Sequence, residues 1–159
     1  MKELLELLEK DHSLTPEQLA IILNRTPEEI LEQIHNLEAD KIIVKYHTII
    51  NWEKVGLDNV TAIIDVKITP QREVGFDAIA ERIYRFPEVR DLYLMSGAFD
   101  LMVMIEGKTL KEVSQFVAMK LSTIEGVIST TTHFMLKKYK EAGVIFDDQE
   151  EDRRLVVTP

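Results

Sequence analysis

The chain has 159 residues, 45% of them hydrophobic and 30% charged, the composition of a soluble globular protein with room for one ordinary domain or two small ones. It has no cysteine, which excludes disulfides and thiolate metal sites and fits a reducing compartment. A net charge of −9 excludes a protein that coats nucleic acid by bulk electrostatics, though not one with a local DNA-reading face.

The first residues, Met1-Lys2-Glu3-Leu4-Leu5-Glu6, lack the long uncharged core of a signal peptide. No apolar run approaches the roughly 20 residues that span a bilayer. A cytoplasmic location without membrane attachment is expected.

Leu4, Leu5, Leu7 and Leu8, set among Glu3, Glu6 and Glu9, predict an amphipathic helix that breaks around Asp11-His12-Ser13. Thr15-Pro16-Glu17-Gln18 is a helix start, with Thr15 as N-cap, Pro16 at the first helical position and Gln18 reaching back. Leu19, Ala20, Ile22 and Leu23 form the apolar face of this short helix. Asn24 ends it, being one of the few residues other than glycine that accept a left-handed turn. The start signal recurs at Thr26-Pro27-Glu28-Glu29, opening a third helix with Ile30, Ile34 and Leu37 inward and Leu31 at the edge. Three helices with a tight turn between the last two fit a helix-turn-helix unit. A three-helix bundle that touches no DNA has the same pattern. Residues 41–50, KIIVKYHTII, are β-branched and partly alternating, and predict one strand or a short wing. Residues 51–59, with Gly56, form the expected domain boundary.

The second half alternates strand and helix. Residues 60–68 predict a strand ended by Thr69-Pro70, and 74–85 a helix with Phe76, Ile79, Ala80 and Ile83 inward, stopped at Phe86-Pro87. Residues 89–95 and 99–106 are the two arms of a hairpin around Ser96-Gly97-Ala98-Phe99-Asp100. Its second arm is apolar at every position from Leu101 to Ile105, which predicts a strand covered on both faces. Thr109 caps a helix with Val113, Phe116, Val117 and Leu121 inward, and Gly126 introduces a last strand over 127–138. The order β-α-β-β-α-β is the split βαβ, ferredoxin-like arrangement, which places both helices on one face of the sheet. The other face then exposes Tyr93 and Met95, with Met102 and Met104 on one side of the second arm. A second copy packing sheet to sheet would cover it, making a homodimer the minimum assembly. A tail over residues 140–159 is the competing cover. In that tail, 140–146 is apolar, 147–154 is a charged run expected to be a solvated loop, and Leu155-Val156-Val157-Thr158-Pro159 is a β-prone end suited to adding an edge strand to a neighbour.

This order of elements resembles the Lrp/AsnC family of feast/famine transcription regulators over residues 3 to about 140. The resemblance rests chiefly on the hairpin break Gly97-Ala98-Phe99-Asp100. It is carried further by Ile124-Glu125-Gly126-Val127 with the threonine cluster and Phe134-Met135-Leu136-Lys137 after it, by Leu19-Ala20, Ile30, Ile34 and Leu37-Glu38, and by Gly56 in Val55-Gly56-Leu57. The family implies an α+β architecture: a winged helix-turn-helix DNA-binding domain over residues 1–50 and a linker over 51–59. A ferredoxin-like βαββαβ domain for effector sensing and dimerisation would follow over 60–140, then a C-terminal tail over 141–159. It also implies a transcriptional regulator rather than an enzyme, dimers that assemble into octameric rings or related forms, and a small effector, usually an amino acid, between dimers. By this transfer Gly97 and Asp100 are effector-site candidates, with Ser96, Thr130 and Thr132 as secondary ones. A carboxylate there would accept hydrogen bonds from a ligand ammonium. From the residues alone, Asp100 reads first as a turn residue capping its own backbone, and the threonines as plain β-formers. His12, His35, His47 and His133 show no ligand spacing, so no metal is expected, and no cofactor is implied.

The implied DNA-contacting set is Arg25, Thr26, Gln33, His35, Asn36, Lys41 and Lys45. Gln33, His35 and Asn36 suit base edges in double-stranded DNA, while Arg25, Lys41 and Lys45 are the cations near enough for phosphate. The third helix departs from the family in its acids, with Glu28, Glu29 and Glu32 in it and Glu38 and Asp40 at its end, and Lys41 stands where the family commonly has glycine. Those acids keep open a metabolite-sensing oligomer of the same fold that has lost DNA affinity. A third reading is an enzyme akin to the siroheme decarboxylases, which are similar to the family. It would need basic and imidazole groups gathered at one pocket, and the scattered histidines do not supply that.

Overall fold

Two Thr-Pro starts in the sequence become two complete capping boxes in a computed structural model of the chain, which describes residues 1–57, 59–69 and 75–146. The chain divides into two compact units, Met1–Ile50 and Asn51–Pro159. In the first, α1 (Lys2–Lys10), α2 (Pro16–Leu23) and α3 (Pro27–Ala39) pack around Leu4, Leu8, Leu19, Ala20, Ile30 and Leu37. Thr15 Oγ1 accepts from the Gln18 amide at 3.3 Å and Gln18 Oε1 accepts from the Thr15 amide at 2.8 Å. Thr26 and Glu29 repeat the arrangement at 3.2 and 2.9 Å. Each cap contributes about 1 kcal/mol and fixes where its helix begins. Asn24 takes the left-handed conformation at φ 52°, closing α2 so that α3 can start three residues later. The apolar face of α2 is narrower than expected: Leu19 and Ala20 are buried, whereas Ile22 is exposed.

Residues 41–50 form neither strand nor wing. Ile42 and Ile43 both donate their amides to the Leu37 carbonyl, at 2.9 and 3.0 Å, which folds the chain back on the end of α3. The Tyr46 hydroxyl then bonds Glu38 at 3.0 Å, and its ring stacks on His12. β-Branched residues favour a pleated surface only where a neighbouring strand supplies the ladder, and among the described residues none pairs with this segment. Lys41 makes the turn at φ 59°, a left-handed backbone that a side chain adopts only at a cost.

The second unit opens with a short helix inside the expected linker, α4 (Trp52–Val55), capped by the Asn51 side chain and closed at Gly56. It continues β1 (Val60–Ile68), α5 (Asp77–Tyr84), β2 (Val89–Leu94), β3 (Leu101–Gly107), α6 (Leu110–Phe116), a π-helical turn (Val117–Leu121) and β4 (Val127–Phe134). The strands lie in the order β2-β3-β1-β4, all antiparallel, as the split βαβ pattern requires. Ala62, Ile64, Val66 and Ile68 from β1 and Leu101, Val103 and Ile105 from β3 turn to one face. There they meet Ile79 and Ile83 of α5, Val113 and Phe116 of α6 and Leu121 of the π-turn. Each of these side chains larger than Ala62 contributes roughly 1.5–3 kcal/mol by leaving water.

Several boundaries differ from the sequence expectation. The second arm starts at Leu101 rather than residue 99, and the last strand stops at Phe134 rather than 138. Residues 140–146, expected only as an apolar stretch of the tail, hold a small ribbon of β5 (Lys140–Glu141) and β6 (Val144–Ile145). The helix expected from 74 begins at Asp77, with Phe76 as its N-cap; residue 74 itself, the charged run from 147 and the LVV end lie outside the described residues.

Within one chain the second arm is covered on one face only. Leu101, Val103 and Ile105 are sealed under the helices, while Met102 and Met104 on the opposite face are only partly covered. Across that open face Tyr93 lies beside Met102, Met102 beside Asp65, and Asp65 beside Thr131; Met104, Ile63 and His133 make the next row. His133 Nε2 and Asp65 Oδ2 pair at 2.9 Å on this face, beside Met102, Met104 and Ile63. Arg90 pairs with Glu106 on β3 and, at 3.6 Å, with Glu141 of the ribbon.

Gly126 sits at φ 94°, and a Cβ there would lie 2.6 Å from Ile79 Cδ1. Gly126→Ala is expected to destabilise the protein by roughly 1–3 kcal/mol through backbone strain and overpacking, read as a lowered urea midpoint at unchanged slope.

Candidate functional site

The hairpin break is held by the end of β1. The Asp100 amide donates to the Val66 carbonyl at 3.0 Å, and the Met95 amide donates to the Asp100 carbonyl at 2.8 Å. The Asp100 carboxylate accepts from the Ile68 amide at 2.9 Å in a partly buried setting. Asp100 therefore caps backbone 32 residues away rather than its own turn. One such bond leaves a carboxylate with acceptor capacity to spare, so a clamp on β1 and a ligand contact are compatible. Gly97 has nothing within 4 Å of where a Cβ would stand, and Ser96 is exposed. The loop surface is open to an approaching molecule.

The two threonines stand elsewhere. Thr130 is paired with Val66 and Thr132 with Ile64, so both share the helix-covered face with those buried residues. Thr130 Oγ1 lies 3.4 Å from Ser122 Oγ at the end of the π-turn. β1 separates β4 from the hairpin, so within one chain these threonines are not joined to the Gly97–Asp100 loop.

In the first unit, Arg25 sits in the turn between α2 and α3 and donates to Gln33 Oε1. That bond occupies the acceptor of Gln33 and leaves its two N–H donors available to a partner molecule. Thr26 Oγ1 accepts from the Glu29 amide as the α3 cap, which leaves its hydroxyl hydrogen available to donate to a partner molecule. His35, Asn36, Lys41 and Lys45 are exposed, and so are Glu28 and Glu32 on the same helix. The unit thus offers a few hydrogen-bonding side chains amid carboxylates that repel phosphate.

Two features gave no signal in the sequence. Lys120 on the π-turn pairs with Glu88, 32 residues away, and holds the Glu88 carboxyl below the usual carboxylate range. The π-turn itself interrupts what reads as one continuous helix. Among the described residues no cluster of three or more histidines and acids could hold a metal ion.

Residues 61–145 match the family described as the Lrp/AsnC ligand binding domain. An uncharacterised HTH-type transcriptional regulator, YugG of Bacillus subtilis (strain 168), is 49% identical over 158 residues, covering 99% of this chain and 95% of the relative. The HTH-type transcriptional regulator FL11 of Pyrococcus furiosus is 29% identical over 140 residues, covering 88% and 89%. Among solved structures, the L-Met complex of a transcriptional regulator from Neisseria meningitidis superposes with a TM-score of 0.70 at 25% identity, covering 87% of this chain and 88% of that one.

Asp100→Ala is expected to cost about 1–3 kcal/mol by leaving the Ile68 amide without its acceptor, with faster hydrogen exchange at Ile68; Asp100→Asn, which keeps an acceptor oxygen, should recover most of that loss. Lys41→Gly relieves the left-handed turn and is expected to stabilise the first unit by about 1 kcal/mol, measured as a raised thermal midpoint.

Proposed function

The chain belongs to the Lrp/AsnC family, and from that membership we propose that it is a sequence-specific DNA-binding transcriptional regulator controlled by a small effector. The observation that carries this reading is the near-full-length likeness to an HTH-type regulator at 49% identity. Residues 1–50 act as the helix-turn-helix domain, with α3 as the reading helix. Gln33, His35 and Asn36 meet base edges, while Arg25, Thr26, Lys41 and Lys45 meet the phosphate backbone. With 41–50 lying outside any sheet, this domain reads DNA without a β-wing.

Residues 51–59 link it to the ferredoxin-like domain over 60–140, whose uncovered sheet face takes a second copy of the chain. Tyr93, Met102, Met104 and Ile63 give that face its apolar character, which supports a homodimer as the basic unit and higher assembly from it. The tail from 141 contributes its ribbon beside Arg90. The effector is an amino acid, a reading supported by the L-Met bound to the Neisseria regulator. It occupies the Ser96, Gly97 and Asp100 loop at a junction between dimers, where Thr130 and Thr132 of another chain complete the site. Its binding re-spaces the DNA-reading heads, so control is a coupling between two distinct sites. The described helices include none long and apolar enough to cross a membrane.

A second reading has a specific observation behind it. Glu28 and Glu32 are exposed on α3, which fits a sensing oligomer whose helical domain binds DNA weakly. A salt series on the DNA upstream of the chain's own coding sequence separates the two. The regulator is expected to bind it above non-specific levels at low salt, with affinity falling steeply as salt rises and changing when an amino acid is added. Binding no better than to unrelated DNA at low salt, with and without amino acids, overturns the regulator reading in favour of the sensing oligomer.

A further inference from the structure

The turn between α2 and α3 is fixed at both ends. The Arg25 amide donates to the Ala20 carbonyl at 3.0 Å, Asn24 closes α2 in the left-handed conformation, and Thr26 with Glu29 locks the start of α3. Gln33, eight residues beyond Arg25, is half-buried on the flank of α3, one turn from the buried Ile30 and one from Leu37. From these two anchored positions the side chains meet: Arg25 Nη1 donates to Gln33 Oε1. Arg25 takes this neutral acceptor although Glu28, Glu29 and Glu32 stand close by in the sequence. The Glu29 carboxylate is itself engaged, accepting from the Thr26 amide at 2.9 Å.

A free glutamine amide is two-sided. Its oxygen accepts and its nitrogen donates, and the two together match the N6 amino group and the N7 acceptor of adenine. The bond from Arg25 removes that balance. It fixes which end of the amide is the oxygen and sets a full positive charge beside that oxygen's remaining lone pair. A base edge brought to the pair meets the Gln33 amide donors and a cation, which attract acceptors and repel an amino group. In the major groove adenine and cytosine each present an amino group, thymine presents the single acceptor O4, and guanine presents O6 and N7 with no amino group. We infer that Arg25 is a positioning residue that makes Gln33 a donor-only reader, so that the base it selects in double-stranded DNA is guanine rather than adenine. The inference rests on α3 being the reading helix, as proposed above. The other guanidinium N–H groups can still meet phosphate, and sequence dependence separates the two roles of Arg25. A phosphate contact strengthens binding to all sequences alike, whereas a positioning contact changes their ranking.

The test is a selection of randomised duplexes at low salt by the full-length chain, by Gln33→Ala and by Arg25→Met, with each enriched pool sequenced. Circular dichroism of both variants checks that the helices are intact. The wild-type pool is expected to carry guanine at a position where the Gln33→Ala pool shows no preference. Arg25→Met keeps an unbranched stem and removes the donors, and it is expected to move that same position towards adenine. On duplexes differing only there, the guanine-to-adenine affinity ratio should fall by about tenfold. In the DNA-free chain, Arg25→Met should also shift the nuclear magnetic resonance signals of the Gln33 side-chain amide. Adenine at the Gln33-dependent position of the wild-type pool overturns this inference and leaves the regulator reading standing. A motif indifferent to Gln33→Ala does the same, as does an Arg25→Met chain weakened equally on every sequence with its ranking intact. Unmoved Gln33 amide signals overturn the inference with no DNA present. A selection that enriches no motif with any of the three chains overturns the regulator reading and this inference together.

Discussion

Strand β1 is hydrogen-bonded along both edges, to β3 and to β4, and its four inward side chains are sealed beneath the helices. This one strand sets the geometry of the second unit. Because strand side chains alternate, burying Ala62, Ile64, Val66 and Ile68 commits Ile63, Asp65 and Lys67 to the other face. A slip of one residue would put Asp65 into the core, so the register has no tolerance. The end of the same strand supplies the Val66 carbonyl and the Ile68 amide that anchor Asp100. Core packing and loop position are therefore fixed together, and a disturbance of either reaches the other through three residues of backbone.

Features encoded within a few residues were legible in the sequence. The Thr-Pro-Glu starts, the left-handed Asn24 and the βαββαβ order each depend on local chemistry or simple periodicity, and each stands in the structure. What was not legible depends on partners far along the chain. Nothing near Asp100 announces Ile68 as its donor, and nothing near Lys120 announces Glu88. The side on which Thr130 and Thr132 lie follows from register against β1, where a bulge at Lys67–Ile68 shifts the count, and that is invisible in β4 alone. Residues 41–50 show the same limit from the other side: their β-branched composition is that of a strand, but composition cannot supply a neighbour to pair with.

The first unit poses a problem of charge rather than of packing. Its second and third helices are capped at both residues of a capping box, yet the exposed side of α3 mixes hydrogen-bonding groups with carboxylates. Arg25 and Gln33 bond to each other, which sets the direction of the Gln33 amide before any other molecule arrives. A reader with few cations gains little from non-specific attraction, so discrimination between sequences rests more heavily on the fit of those side chains and on presenting several heads at once.

The Asp65–His133 pair on the open sheet face carries a consequence for life in a crowded cell. A broad apolar surface will adhere to any other apolar surface that meets it, and partly folded chains offer many. This one bears a donor and an acceptor on its central and edge strands. A cover that left them severed would forfeit much of the free energy released by burying the apolar residues around them. Only a surface that accommodates the pair can close over the sheet without that penalty. Two polar side chains thus act as a filter on company, keeping an adhesive face from becoming a starting point for aggregation.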